Sequence, residues 1–376
     1  MTPVCAVARS GGAGIGVHNR PQGRAYDRRV GESRGRIVTG LIRVAPHRGD
    51  HRVAFRVAVS LAVPLLMLWA TGRLDLAVYA SFGAFASLYG RFDAYADRIR
   101  MQAAAGATML LAMALGTALS LLSTPTMLRV VAVALAAGVV TFVAAVARWH
   151  PPGALFAVFA AGACASLPAG PASFAAVGLV GGGAVVFSLV LTATIAALRR
   201  GLRAHAAATS GSAVRRADAV SSAVTVVVGA ALAGLAGLLL VGDHWYWAMV
   251  AAVAALGGAQ LSARVIRGLQ RLGGTLVGIL LAAALLALGL HPLLTILVAV
   301  LLQIGAELYV GRNYGIAMVF VTPLALLMVE LAVPADPAVL LRDRVLDTVI
   351  GVAVGTAVAV VSATLQTRRV QTRRAH

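Results

Sequence analysis

The chain has 376 residues, 60% of them hydrophobic and only 12% charged, with a formal net charge of +19 and a mean hydropathy of +0.88. A soluble domain is close to half apolar and about a quarter charged, so this composition excludes an ordinary water-soluble fold and puts most of the chain in a membrane. All 32 basic residues are arginine, which removes phosphate loops of the GxxxxGK[ST] type and Schiff-base chemistry, since both need a lysine amine.

In chain order, residues 1 to 52 hold ten arginines and the run Gly11-Gly12-Ala13-Gly14. They show no hydrophobic periodicity and no apolar core of signal-peptide type, so they read as a disordered, arginine-rich cytoplasmic tail. The glycine run follows no strand and opens no helix, and is not a dinucleotide fingerprint. From Val53 onward, apolar runs alternate with short polar breaks at 53–72, 75–90, 101–122, 128–147, 154–167 and 171–198, then at 219–241, 244–260, 272–290, 291–308, 314–331 and 340–365. A spanning helix takes about 20 apolar residues, and these runs predict twelve spans, the run 154–167 being the shortest.

The fold class is therefore an all-α polytopic membrane protein. Its parts are the tail 1–52, a first six-span block 53–198, a cytoplasmic linker 199–218, a second block 219–365 and a cytoplasmic tail 366–376. Cys5 in the tail and Cys164 in an apolar run have no partners at ligand spacing, which leaves no metal site and no cofactor.

Arginine collects in the cytoplasmic loops of membrane proteins. With the amino terminus inside, twelve spans place 28 arginines on the inner side and leave only Arg73, Arg129, Arg342 and Arg344 outside. A miscount of one span would mix the two groups. The sorting predicts a multi-pass protein of the cell membrane with both termini cytoplasmic, and it removes the positive charge as a sign of nucleic-acid binding.

The two blocks resemble each other. Pro168 and Pro171 precede the sixth span as Pro334 and Pro337 precede the twelfth; Arg148 and Gly153 match Arg312 and Gly315; Arg98 and Gln102 match Arg267 and Arg271. Six is an even number, so the second copy enters with the orientation of the first. This predicts two parallel six-helix repeats about an axis along the membrane normal, enclosing a central pathway or simply packing as a duplicated bundle.

Polar residues within the apolar runs are the site candidates. Gln260, Arg264, Arg267 and Arg271 are spaced to share one helix face, continued by Thr275 and Gly278. That stripe suits an organic anion, because arginine takes a carboxylate in a bidentate fork, or it is a topogenic loop that binds headgroups. Arg344 and Asp347, with Thr348, form an interfacial ion pair or an anion contact with a proton carrier. Glu307 is a proton-coupling carboxylate or a surface partner of Arg312. Thr322 and Pro323 suggest a broken helix along the pathway, or a packing kink as at Pro64. His244-Trp245-Tyr246-Trp247 reads as an outer aromatic belt, with Trp247 open to stacking an aromatic substrate. The small-residue pairs Gly274 and Gly278, Gly351 and Gly355, and Gly178 and Gly182 read as close helix contacts. No HExxH, GxSxG or carboxylate pair is present, Ser120 and Ser188 lie on apolar faces, and no enzymatic activity is expected.

Four of these stretches in order, His244-Trp-Tyr-Trp-Ala, Arg267-Gly-Leu-Gln-Arg271-Leu-Gly-Gly-Thr275-Leu-Val-Gly278, Glu307-Leu-Tyr-Val-Gly-Arg312-Asn-Tyr314 through Thr322-Pro323, and Arg344-Val-Leu-Asp347-Thr348-Val-Ile-Gly351, resemble the fusaric acid resistance and aromatic acid exporter family. Its remote relatives include the plant aluminium-activated malate transporters. The resemblance implies a protein of the inner membrane that exports small organic, often aromatic, acids on the proton gradient. Exporters of that family often carry large cytoplasmic domains, replaced here by a short linker and tail. Plant relatives pair six-span subunits, which implies either a homo-oligomer or a monomer whose fused halves imitate such a pair. A passive organic-anion channel and a membrane scaffold or lipid-binding protein stay open as alternatives. The expected partners are a small organic anion and the bilayer.

Overall fold

A computed structural model describes residues 39–47, 49–91, 93–198, 215–258, 260–333 and 335–375, with side chains as far as Leu365. Almost all of it lies in the unit Leu41–His376. Residues 1–38 of the expected tail and 199–214 of the expected linker lie outside the described residues.

Among the described residues the chain is all-helical, and each of the twelve apolar runs is a helix. Nine have the length and composition to cross a membrane: α1 (Asp50–Ala70), α3 (Tyr95–Leu121), α4 (Thr126–Val146), α6 (Ala172–Leu198), α7 (Arg216–Leu240), α9 (Leu261–Ala287), α10 (Pro292–Tyr309), α11 (Tyr314–Ala332) and α12 (Pro337–Ala375). Three are shorter: α2 (Leu74–Leu88), α5 (Leu155–Ser166) and α8 (Tyr246–Leu256). The 11 residues of α8 rise only about 16 Å, against a hydrocarbon core of about 30 Å.

The short helices can stop early because protein, not lipid, surrounds them. Every residue of α8 is buried, as is each residue from Ala77 to Ala84 of α2. Free carbonyls at such helix ends need partners, since the bilayer offers none. Arg56 donates to the Ser87 carbonyl at the end of α2 through Nη2 (2.9 Å), Gln102 Nε2 donates to the carbonyls of Ser87 and Tyr89 (3.3 and 3.2 Å), and both side chains are buried. Arg129 Nη1 and Ser120 Oγ each donate at 2.6 Å, to Ala165 and Leu167 at the end of α5. Arg264 Nε does the same for Gly258 beyond α8 (2.9 Å).

Several boundaries differ from the sequence reading. Helix α1 begins at Asp50 rather than 53, and α9 at Leu261 rather than 272, so the arginines of its first turns are helical. Helix α12 runs to Ala375, through the expected tail. Ahead of α1, part of the expected disordered tail is pinned: Arg312 donates to the Ala45 carbonyl (2.8 Å) and Asn313 to those of Leu41 and Arg43 (2.9 and 3.2 Å). The break expected at Thr322-Pro323 is absent, because α11 continues through Pro323. The ring removes the bond to the Val319 carbonyl four residues back. That carbonyl faces Gly278 of α9, where an added Cβ would lie 3.1 Å from it.

Helix pairing recurs along the chain. Helix α3 packs on α5 as α9 packs on α11, α6 on α2 as α12 on α8, and α4 on α7 as α10 on α1. Lipid tails are as apolar as leucine, so close approach rather than hydrophobicity holds such pairs. A Cβ on Gly274 would lie 2.1 Å from the Gly315 carbonyl, and one on Gly351 2.2 Å from that of Ala248. Gly178 and Gly182 differ from this expectation: a Cβ on either meets nothing within 4 Å. Leu179 beside them is 78% exposed, which makes this a lipid-facing surface.

Candidate functional site

Helices α2, α5, α8 and α11 converge from both halves of the chain around one cavity of about 390 Å³. Its wall is mainly apolar and includes Phe82, Phe85, Phe156 and Phe159. Phe82 meets Phe85 and Phe159 edge-on at 5.8 and 5.1 Å between centroids, so the rings form a connected box. Four arginines, Arg91, Arg267, Arg271 and Arg344, and one carboxylate, Glu307, also reach the cavity.

Tyr314, the first residue of α11, organises two of the arginines from α9. Arg271 Nη1 donates to its hydroxyl at 2.8 Å, and the Arg267 guanidinium lies over its ring at 4.6 Å. The predicted stripe is thereby split: Arg264 turns to the Gly258 carbonyl, while Arg267 and Arg271 enter the cavity. Arg271 is 2% exposed and its Nε has no hydrogen-bond partner among the described residues. Arg344 of α12 is 1% exposed, and its Nε and Nη1 are likewise unpartnered. It rests over the Trp247 ring at 5.2 Å, and it feels Arg271 as a like charge and Asp347 as an opposite one. Buried N–H groups are nearly always paired, and each orphan costs about 1–3 kcal/mol. Two repelling guanidiniums with free donors at a cavity wall are a site shaped for an anion.

Glu307 is placed differently from the sequence reading. Its partner is Arg91 from the loop after α2, not Arg312, and the pair joins the first half to the second. Gln303 Nε2 lies 3.4 Å from its other oxygen, and Arg91 Nη1 lies 3.5 Å from Asp50.

The other candidates lie outside the cavity lining. Thr322 is fully buried against Gly278 of α9. Trp247 is fully buried rather than a surface belt residue; it stacks on His244 (4.5 Å) and supports Arg344 from behind. His244 in turn bonds Asp343 at 2.9 Å. Asp347 lies ten residues past the start of α12, about 15 Å along it, is 0% exposed, and has neither oxygen hydrogen-bonded among the described residues. It makes no direct contact with Arg344, which it feels only as an opposite charge, and its carboxylate faces Gly237 of α7, where a Cβ would come within 2.8 Å. Pro323 sits inside α11 behind the lining.

Of the four arginines outside the main topological sorting, Arg73 pairs with Asp75, Arg129 caps α5, and Arg342 pairs with Asp343. Arg344 alone of the four enters the cavity. Arg91, Tyr314 and the four phenylalanines were not site candidates in the sequence. Helical spacing joins residues of one helix, and these come from three helices and a loop.

Residues 232–358 match the family model described as fusaric acid resistance protein-like. The match runs from α7 into α12 and contains Arg267, Arg271, Glu307, Tyr314, Arg344 and Asp347; Arg91 and the phenylalanines come from outside it. No curated protein and no solved structure matches the chain. Its apolar helices point to a multi-pass membrane protein, and residues 232–358 of it are similar to the fusaric acid resistance protein-like family.

Proposed function

We propose that the protein exports small organic acids, aromatic ones among them, across the cell membrane on the proton gradient, with both termini in the cytoplasm. One observation carries this reading: unpartnered guanidinium donors of Arg271 and Arg344 meet a phenylalanine-walled cavity between the two halves. A carboxylate satisfies the donors in a charge-assisted fork, and an aromatic ring finds edge and face contacts of the kind these phenylalanines already make with each other. The recurring helix pairs support the parallel six-helix repeat, because exchanging the two blocks carries one set of contacts onto the other. On that arrangement, the Arg91 end of the cavity faces the cytoplasm.

Glu307 and Asp347 are the carboxylates placed for proton coupling. Glu307 reaches the cavity, and Asp347 is one turn beyond Arg344 on α12. The test is uptake of radiolabelled benzoate into inverted vesicles, with and without an imposed pH gradient. Wild-type protein should concentrate benzoate only with the gradient. Arg271→Gln should lower the rate about 10- to 100-fold, the equivalent of a charged hydrogen bond of about 1.5–3 kcal/mol. Benzoate-dependent current that persists without a pH gradient would replace the exporter with a passive anion channel, and no benzoate movement under any gradient would end the transport reading.

A further inference from the structure

The carboxylate of Glu307 belongs to a polar network that leads away from the cavity and ends on a pair of exposed histidines. From Glu307 the network passes to Arg91 through Nη2, and Arg91 Nη1 lies 3.5 Å from Oδ1 of Asp50, the first residue of α1. The other oxygen of Asp50, Oδ2, is 3.0 Å from His47 Nδ1, and His47 Nε2 is 3.0 Å from His51 Nδ1. Burial falls away along this series. The side chains of Glu307 and Asp50 are each 7% exposed and that of Arg91 11%, but that of His47 is 43% exposed.

The joints of this network suit a mobile proton. His47 Nδ1 faces an acceptor, Asp50 Oδ2, and also a donor, the Asp50 backbone N–H at 3.2 Å. It therefore has a partner with its proton and without it. Between His47 Nε2 and His51 Nδ1 one nitrogen must donate and the other accept, so that contact can pass a proton on to the second ring. Asp50 turns one oxygen to each neighbour. Glu307 does likewise, with Oε2 on Arg91 and Oε1 3.4 Å from Gln303 Nε2. The charges that Glu307 feels are Arg91, Arg56 and Asp50. A proton on either carboxylate is thereby felt by the other, and Arg91 keeps one ionised partner whichever of the two carries it.

We propose that this network is the route by which Glu307 exchanges its proton with the cytoplasm, with Asp50 as the intermediate carrier and His47 as the group that meets water. A proton leaving Glu307 returns that carboxylate to its ionised form. Asp50 takes the proton and hands it to His47 Nδ1, and His47 releases one from Nε2 to His51 or to water. Asp50 and Glu307 meet the two terminal nitrogens of one planar guanidinium, so the transfer between them spans a single group. A carboxylate buried among membrane helices needs such a chain of partners, because a lone charge in that interior is costly. The route rests on the transport reading, in which Glu307 couples to the proton gradient, and it extends the coupling machinery into α1 and the segment ahead of it.

Benzoate transport by the full chain in inverted vesicles, read in two modes, separates the proton step from the anion step. Uptake driven by an imposed pH gradient requires Glu307 to gain and lose its proton in every cycle. Counterflow, the exchange of radiolabelled for unlabelled benzoate without a gradient, requires only that the loaded protein reorient. Asp50→Asn keeps the size of the side chain and one accepting oxygen but carries no proton. It should slow gradient-driven uptake about 100-fold, the scale of a lost proton-transfer group, and leave counterflow at the wild-type rate. His47→Gln, at an exposed position where folding tolerates the change, should slow gradient-driven uptake by less and also spare counterflow. Equal loss of both modes in either variant would give that residue a structural role only and overturn the route, as would unchanged gradient-driven uptake in Asp50→Asn. Wild-type protein that exchanges benzoate without ever concentrating it keeps the anion pathway and removes proton coupling, the route included. No benzoate movement in either mode ends the transport reading and the route with it.

Discussion

The two halves of the chain give opposite tasks to their corresponding polar residues. At the offset of 169 that pairs Arg98 with Arg267 and Gln102 with Arg271, the first half turns inward on itself. Arg98 lies over Tyr95 at 5.0 Å and bonds the loop after α2, and Gln102 caps the end of α2. In the second half, Arg267 and Arg271 gather on Tyr314 and face the cavity. The contrast continues in the last helix of each block. The proline spacing of 166 sets Arg344 opposite Gly178, in a π-helical turn, Val177–Gly181, that meets open space at Gly178. One half has become a frame that closes its own short helices, while the other leaves guanidinium donors of Arg271 and Arg344 free near the cavity. The residues matched by the family model belong to the second.

That comparison can be broken most severely at the helix seam. Gly351→Leu drives a side chain into the Ala248 carbonyl, which is backbone and cannot yield; overpacking that costs about 1–3 kcal/mol against movable side chains costs more here. Size-exclusion chromatography of the detergent-purified protein should show loss of the monodisperse peak, whereas Gly178→Leu, into open space, should elute as wild type. Next in size, Arg344→Gln should reduce benzoate uptake about 10- to 100-fold with normal insertion, as for Arg271→Gln; uptake within twofold of wild type would move the anion site elsewhere.

On the other side of the comparison, Gln102→Ala should lower stability by about 1–3 kcal/mol, by leaving the Tyr89 carbonyl short of a donor, with the KM for benzoate unchanged. A thermal melt paired with uptake reads both. Tyr314→Phe keeps the ring under Arg267 and removes the acceptor of Arg271, so uptake should fall about three- to tenfold. The smallest effect belongs to Gly182→Ala, where melting temperature and uptake should both stay within error.

The divergence between sequence and structure has a physical pattern. The position of all twelve helices was legible because the bilayer imposes a long apolar run, and a run is a property of neighbouring residues. Arg271 and Arg344 were legible as ionisable groups that topology leaves unexplained. Thr322, Trp247 and Asp347 carried the same polar signal, yet packing puts them behind the cavity wall. Arg91 gave no such signal, because its role depends on Glu307, 216 residues away in sequence.

By itself, then, the sequence determined that this chain lives in a membrane, where its helices lie, and that its second half carries the cationic motifs, since hydropathy and charge act locally along the chain. Only the tertiary structure decided that three of the helices are short and buried, that their ends are capped by Arg56, Gln102, Arg129 and Arg264, and that Arg271 and Arg344 reach one cavity also lined by Arg91 and Glu307. Those facts depend on which helix faces pack together, and close contacts between small residues far apart in the chain set that choice.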